Sequence, residues 1–124
     1  MARTVDQLRE AGISVSLFLD PDPRQIEAAA RLGADAVELH TGQYALAMSA
    51  AVREEALEKL KTIGSQVRGA DMTLHAGHGL TYRNVRPVAA IDGMHELNIG
   101  HSIVARAIMV GFEEAVREMK RLVS

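Results

Sequence analysis

Four short segments of this chain alternate residue by residue between two kinds of side chain, and helical patterns separate them. The segments are residues 15–19, 36–40, 72–76 and 96–99. Alternation with a period of two predicts β-strands, because successive side chains of a strand point to opposite faces. Strands that alternate with helices through short loops favour a parallel sheet built from βαβ units. The sequence therefore predicts an α/β fold.

The two faces of this predicted sheet differ in chemistry. One face is apolar and carries Val15, Leu17, Leu19, Val37, Leu39, Met72, Leu74, Leu97 and Ile99. The other face carries Glu38, His40, His75, Glu96 and Asn98. An open sheet with helices on both sides should be apolar on both faces, whereas a polar inner face suits the lumen of a (β/α)8 barrel. Four βα units are half of a barrel, so we predict one half-barrel domain over residues 1–124.

Helix signals lie between and around the strands. A first helix is predicted over residues 4–11, with Thr4 as its N-cap and Gly12 after its end. A second helix runs to Leu32, with Asp22 as N-cap and Pro23 at its first position. A short helical turn covers residues 84–91.

Two longer helices carry apolar stripes. The helix predicted over residues 49–67 buries one face and pairs Glu55 with Lys59 outside. Its apolar face consists of Val52, Ala56, Leu60, Ile63 and Val67. The last helix, predicted over residues 102–123, has a stripe of Val104, Ile108, Phe112, Ala115, Met119 and Leu122.

Composition and charge exclude several classes of protein. The chain is 48% hydrophobic and 24% charged, which is typical of a globular domain. A net charge of −2 gives no electrostatic reason to expect nucleic acid or an anionic membrane as a partner. No apolar run approaches the roughly 20 residues of a membrane helix. The absence of cysteine excludes disulfides and fits a reducing cytoplasm, where we expect the protein to reside.

Two glycine-rich strand ends indicate a binding site. One is the segment LHAGHGL (residues 74–80), and the other is ELNIGH (residues 96–101), which leads directly into the last helix. Glycine allows backbone N–H groups to approach a ligand closely, and a helix N-terminus favours an anion. Together the two ends predict a phosphate cradle beside a histidine that is available for proton transfer.

Four motifs in order along the chain resemble the pyridoxine 5′-phosphate synthase family. They are GISVSLFLD (12–20), VELHTGQYA (37–45), AGHGLTY (76–82) with Asn84 and Val85, and MHELNIGH (94–101). The resemblance implies the C-terminal half of a TIM barrel from vitamin B6 biosynthesis. Such an enzyme condenses 1-deoxyxylulose 5-phosphate with 3-amino-2-oxopropyl phosphate and releases pyridoxine 5′-phosphate, inorganic phosphate and water.

The resemblance also assigns roles to particular residues. His78 matches the proton donor of the family, and Glu38 matches the carboxylate that stabilises the transition state. Gly79, Gly100 and His101 match positions that bind the phosphorylated aminoketone. These roles suit the chemistry, since imidazole can donate and accept protons near neutral pH and a carboxylate can stabilise a developing cation. The partners implied are phosphorylated small molecules, with no cofactor and no metal.

Less specific interpretations remain for several of these residues. His40, His75 and His95 favour structural roles, and Glu38 alone could simply neutralise a cation in the lumen. His75 and His78 have a spacing found in zinc sites, but no third ligand is evident.

The alternative to half of an active site is a catalytically inactive half-barrel that associates with itself and at most binds phosphate. Met1, directly before the first predicted helix, favours an excised piece of a longer barrel. With either function, uncovered sheet edges predict a homodimer or a higher homo-oligomer.

Overall fold

The fold is a single sheet of four strands with helices between them, in a computed structural model that describes residues 2–124. The strands are β1 (Ser16–Leu19), β2 (Ala36–His40), β3 (Thr73–Gly77) and β4 (Met94–Asn98). The helices within these residues are α1 (Ala2–Glu10), α2 (Pro23–Arg31), α3 (Gly42–Ala45), α4 (Ala50–Gly69), α5 (Val85–Ala89), α6 (His101–Val110) and α7 (Phe112–Val123). Met1 lies outside the described residues.

The sheet has the arrangement of half a (β/α)8 barrel, as the sequence predicts. All neighbouring strands are parallel, and their order is β1-β2-β3-β4, so that β1 and β4 form the two edges. Phe18 is aligned with Glu38, Glu38 with His75, and His75 with Glu96, which makes one row across all four strands. A register shift lies between Leu74 and His75.

Packing on one face of the sheet confirms the predicted difference between the faces. Val37, Leu39 and Leu74 are fully buried, and the α4 residues Leu60 and Val67 belong to the same apolar core. Burial of such side chains stabilises each of them by about 1.5–3 kcal/mol relative to exposure. On the opposite face, Phe18 of β1 remains 55% exposed. Within the described residues the polar face therefore has no cover at Phe18.

The last predicted helix is in fact two helices, because the chain turns at Gly111. Gly111 has a φ of 85°, in the left-handed region that glycine adopts readily and that interrupts an α-helix. α7 packs back against α6, and Arg106 donates two hydrogen bonds of 2.8 and 2.9 Å to the Glu118 carboxylate. The break ends the predicted stripe. Its first members are exposed, namely Val104 (54%), Ile108 (81%) and Phe112 (62%), while Ala115 and Met119 are buried.

Smaller corrections concern helix ends and faces. Thr4 lies inside α1 and is not its N-cap, because the helix already includes Ala2. In α4 the buried face includes Leu57 in place of Val52, which is 52% exposed. The predicted pair of Glu55 with Lys59 is replaced by an ion pair of 2.6 Å between Glu58 and Lys61. The short helix α3 was not predicted.

The ends of the strands and the cap of α2 differ less from the prediction. β3 begins one residue later than predicted and ends at Gly77, and β4 begins at Met94 instead of Glu96. Asp22 is the N-cap of α2 as predicted, with its side chain accepting a hydrogen bond from the Arg24 backbone N–H at 2.8 Å. Pro23 follows at the first helical position.

Candidate active site

The carboxyl ends of the strands border a pocket of about 350 Å³. All five residues that the sequence singled out contribute to it: Glu38, His78, Gly79, Gly100 and His101. The remaining lining residues are Phe18, Leu80, Asn98 and Ile99. Residues separated by more than sixty positions in the sequence thus meet, because parallel strands bring their carboxyl ends to one edge of the sheet.

Glu38 lies across the backbone of the neighbouring strand. Its carboxylate is close to Gly77, where an added Cβ would overlap Oε1 of Glu38 and press on the Asn98 backbone. Gly77 therefore leaves the space that the Glu38 carboxylate occupies. Gly77 belongs to the glycine-rich strand end that the sequence predicts for the site, but its contact with Glu38 is visible only in the structure.

His78 follows β3 in an unusual backbone conformation. Its φ is 84°, in the left-handed region, which costs a residue other than glycine about 1–3 kcal/mol. Buried Thr41 opposes this cost, since its backbone N–H donates to the Gly77 carbonyl at 2.8 Å. The Thr41 hydroxyl lies 2.7 Å from the same carbonyl and 2.5 Å from that of His78, and donates to them. Thr41 thus fixes the turn that carries His78, a role that the sequence did not reveal.

The His78 imidazole packs against a second histidine. The ring centroids of His78 and His40 are 4.6 Å apart, with the rings tilted by 42°. Phe18 contacts His40 edge-on, with 5.3 Å between the ring centroids. Asp20 Oδ1 lies 3.4 Å from His40 Nδ1. His40 therefore has packing contacts, as the structural interpretation predicts, and they lie at the edge of the pocket.

Hydrogen bonds hold the loop after His78 against the start of α6. The Thr81 backbone N–H donates to Asn84 Oδ1 at 2.7 Å, and the Ser102 hydroxyl donates to the Leu80 carbonyl at 2.8 Å. The Tyr44 hydroxyl donates to the Asn84 carbonyl at 2.7 Å, and burial raises the pKa of Tyr44, which keeps this donor protonated. The glycine loop and the helix start are thereby kept at one pocket.

The fold requires glycine at only one of the two positions that the sequence predicts to bind phosphate, Gly79 and Gly100. Gly79 has a φ of 76°, and an added Cβ would lie 2.8 Å from the Ala45 side chain, so the fold itself demands glycine there. Gly100 is the N-cap of α6 with a φ of −112°, which any residue adopts, and an added Cβ would meet nothing within 4 Å. No neighbour among residues 2–124 thus requires glycine at position 100.

The two histidines with zinc-like spacing do not converge. His75 stacks on His95 with 5.7 Å between ring centroids, whereas His78 contacts His40. Across residues 2–124 no three histidine, aspartate or glutamate side chains gather as a metal site requires.

None of the helices in this part of the chain is long and apolar enough to cross a membrane.

Comparison with known proteins gives consistent results. The family model described as "Pyridoxal phosphate biosynthesis protein PdxJ" matches residues 1–124. Proteins named pyridoxine 5′-phosphate synthase are similar to the chain in several bacteria. That of Rhodopirellula baltica is 66% identical over 98% of this chain and 49% of its own length. That of Syntrophotalea carbinolica is 53% identical over 99% of this chain and 52% of its own length.

A third relative, from Synechococcus sp., is 58% identical over 94% of this chain and 49% of its own length. The chain therefore spans about half the length of the curated relatives it matches. With the family model covering residues 1–124, the chain belongs to the PdxJ family of pyridoxal phosphate biosynthesis proteins.

Proposed function

We propose that this chain provides half of a pyridoxine 5′-phosphate synthase active site. In that site 1-deoxyxylulose 5-phosphate condenses with 3-amino-2-oxopropyl phosphate, and pyridoxine 5′-phosphate, inorganic phosphate and water are released. The observation that carries the proposal is the single pocket lined by Glu38, His78, Gly79, Gly100 and His101. The names of the relatives support it, since each is called pyridoxine 5′-phosphate synthase.

His78 and Glu38 are the proposed catalytic residues. Ring closure with loss of water needs proton donation, and the His78 imidazole at the pocket wall is able to supply a proton. The Glu38 carboxylate stabilises the positive charge that develops on an imine nitrogen, an effect that is strengthened where water is partly excluded. Glu38 is half-buried beside Gly77, which suits this role.

Gly79, Gly100 and His101 are the proposed phosphate site for the aminoketone substrate. The backbone N–H groups at the start of the ten-residue helix α6 favour an anion, and His101 adds a donor. Glycine at position 100 leaves the backbone open to a ligand, because no neighbour among residues 2–124 lies within 4 Å of an added Cβ.

Inorganic phosphate tests this site in the isolated chain. We expect weak binding, because much of an enclosing site is absent, with amide NMR shifts first at Gly79, Gly100 and His101. Gly100→Val should weaken binding with a loss of stability of no more than about 1 kcal/mol, because its added side chain begins in open space and valine is only a poorer N-cap than glycine. Gly69→Ala, at another position with open space, is the matched control and should bind normally. Shifts confined to other residues would contradict the phosphate site.

An activity assay tests the whole proposal. The chain would be joined to the half of the Rhodopirellula baltica relative that it does not match. We expect the joined protein to form pyridoxine 5′-phosphate from the two substrates and the 124-residue chain alone to form none. A folded joined protein without activity would contradict the proposed function.

One observation favours the alternative of an inactive, self-associating half-barrel. The edges β1 and β4 have no neighbouring strand within the described chain, and Phe18 lies exposed on the uncovered face. Exposed strand edges are templates for pairing with another chain. An isolated chain that associates with itself and has no activity would agree with this alternative. If the joined protein is active, the alternative would apply only to the isolated half.

A further inference from the structure

We propose that Asp20 and His40 are positioning residues that hold the His78 imidazole in its reactive orientation. The three side chains stand at the carboxyl ends of β1, β2 and β3, which are successive strands of the sheet. The inference rests on the proposed function of His78 as proton donor and deepens it, because it names what orients that donor.

The imidazole rings of His78 and His40 are in contact. His78 is exposed, and an exposed side chain ordinarily samples several rotamers. Its ring lies 4.6 Å from the His40 ring, within the range in which aromatic rings attract one another. This contact restricts the rotation of the His78 ring about its side-chain bonds.

The His40 ring is itself held by its neighbours. Asp20 Oδ1 lies 3.4 Å from His40 Nδ1, and Phe18 packs edge-on against the ring. Beneath the ring, an added Cβ at Gly42 would lie 2.6 Å from His40 Cε1, so glycine permits this packing. A carboxylate near Nδ1 favours the ring orientation that turns this nitrogen toward it. Contacts on three sides therefore hold the ring against which His78 packs.

A second pair of adjacent histidine rings, His75 and His95, provides an internal control. His75 and His95 stack at 5.7 Å, but neither residue lines the pocket of Glu38 and His78. Loss of His95 removes an exposed histidine and one stacked pair without touching the proposed donor. His95→Ala is thus matched to His40→Ala in the groups that it deletes.

NMR of the 124-residue chain tests the restraint on His78. Three-bond couplings about the His78 Cα–Cβ bond should show one rotamer in the unaltered chain. His40→Ala and Asp20→Ala should give averaged couplings, His40→Phe should restore one rotamer by keeping an aromatic face, and His95→Ala should change nothing. Circular dichroism checks that each variant is folded. A single His78 rotamer in folded His40→Ala would overturn the inference.

Turnover of the joined protein tests whether the restraint serves catalysis. His40→Ala should lower kcat about tenfold or more, as misplacement of a reacting group does, with KM unchanged and with His95→Ala at the normal kcat. An active joined protein in which His40→Ala keeps its kcat would overturn the inference. An inactive joined protein without substitutions would overturn the proposed function instead, and the NMR couplings would still decide whether His40 restrains His78.

Discussion

At the scale of single residues, the candidate site depends on groups that make room for its functional side chains or hold them in place. Gly77 gives the Glu38 carboxylate its space, and Thr41 stabilises the left-handed backbone of His78 by hydrogen bonds to two carbonyls. These contacts are made between residues of this chain, so the fold itself positions the Glu38 carboxylate and the His78 backbone.

Loss of either proposed catalytic group should affect turnover more than stability. In the joined protein, His78→Ala and Glu38→Gln should each lower kcat on the order of 10²-fold or more, since an acid–base group or a charge-stabilising group is lost. Both side chains reach solvent, so the thermal midpoint should change little. Steady-state kinetics and thermal unfolding check this, and near-normal turnover in either variant would refute the role of that residue.

Gly77→Ala should impair the site through Glu38. The added methyl group would overlap the Glu38 carboxylate, so either this side chain moves or the backbone shifts, at a cost of about 1–3 kcal/mol in the free energy of unfolding. Denaturant unfolding and turnover of the joined protein measure the two effects. Gly69→Ala, where an added Cβ meets nothing, should leave turnover unchanged and stability unchanged or higher. Full activity of Gly77→Ala would show that the Glu38 position is not critical.

At the scale of elements, side-chain caps mark where α2 and α4 begin, and a single glycine changes the course of the chain after α6. Asp22 and Pro23 start α2, and the Ser49 hydroxyl caps α4 by accepting from the Val52 N–H at 3.2 Å. Gly111 separates α6 from α7. The turn lets Arg106 reach Glu118, and the resulting hydrogen bond lowers the pKa of Glu118.

The N-cap of α2 should make stability depend on acid pH. Hydrogen bonds from the Arg24 side chain and backbone lower the pKa of Asp22 from 3.8 to about 2. As pH falls, Asp22 is therefore protonated in the unfolded chain before it is protonated in the folded chain. The contribution of Asp22 to the stability of the fold is complete above about pH 4 and is lost as pH falls through about 2.

Asp22→Asn keeps a cap oxygen but removes the charge. This variant should be less stable than the unaltered chain near pH 6, and the difference should shrink between about pH 4 and pH 2. Thermal midpoints across this range provide the measurement, with Asp6→Asn on the exposed side of α1 as control. A difference that is constant with pH would rule out the lowered pKa as its source.

At the scale of the whole molecule, the half-barrel has two uncovered features, its sheet edges and its polar face. β1 and β4 are the edges, and Phe18, Glu38, His75 and Glu96 form one row across the face. The relatives are about twice as long as this chain. A second layer of chain, either the other half of such a protein or a second copy, is the simplest cover for these features.

The isolated chain should therefore form a dimer or a multiple of it. Closed symmetry is usual in homo-oligomers, and a second copy would pair the strand edges. Light scattering coupled to size-exclusion chromatography measures the mass. Phe18→Lys places a charge on the uncovered face and should favour the monomer, whereas Val52→Lys, at a similarly exposed position on α4, should not. A folded monomer over a wide concentration range would contradict self-association.

What the sequence by itself determined is the class of fold and the set of candidate residues. Period-two alternation predicted four parallel strands with one apolar face, because the pleat of a strand makes side-chain direction a local property. The N-cap at Asp22 and Pro23 at the first helical position are also local signals, because each acts on the first turn of its own helix. The glycine-rich strand ends predicted a phosphate cradle beside a histidine, and the resemblance to a family assigned catalytic roles to His78 and Glu38. These catalytic and binding roles stay predictions.

Only the tertiary structure decided how these residues meet. The Thr41 hydrogen bonds, the Gly77 space and the His40 contact join residues that are 36 to 39 positions apart, and no local pattern specifies such contacts. The break at Gly111 was hidden, because helix periodicity continues on both sides of it while glycine is only a weak signal within a helix. Gly111 ends α6, and the packing of α7 against α6 and the core stabilises the turned arrangement.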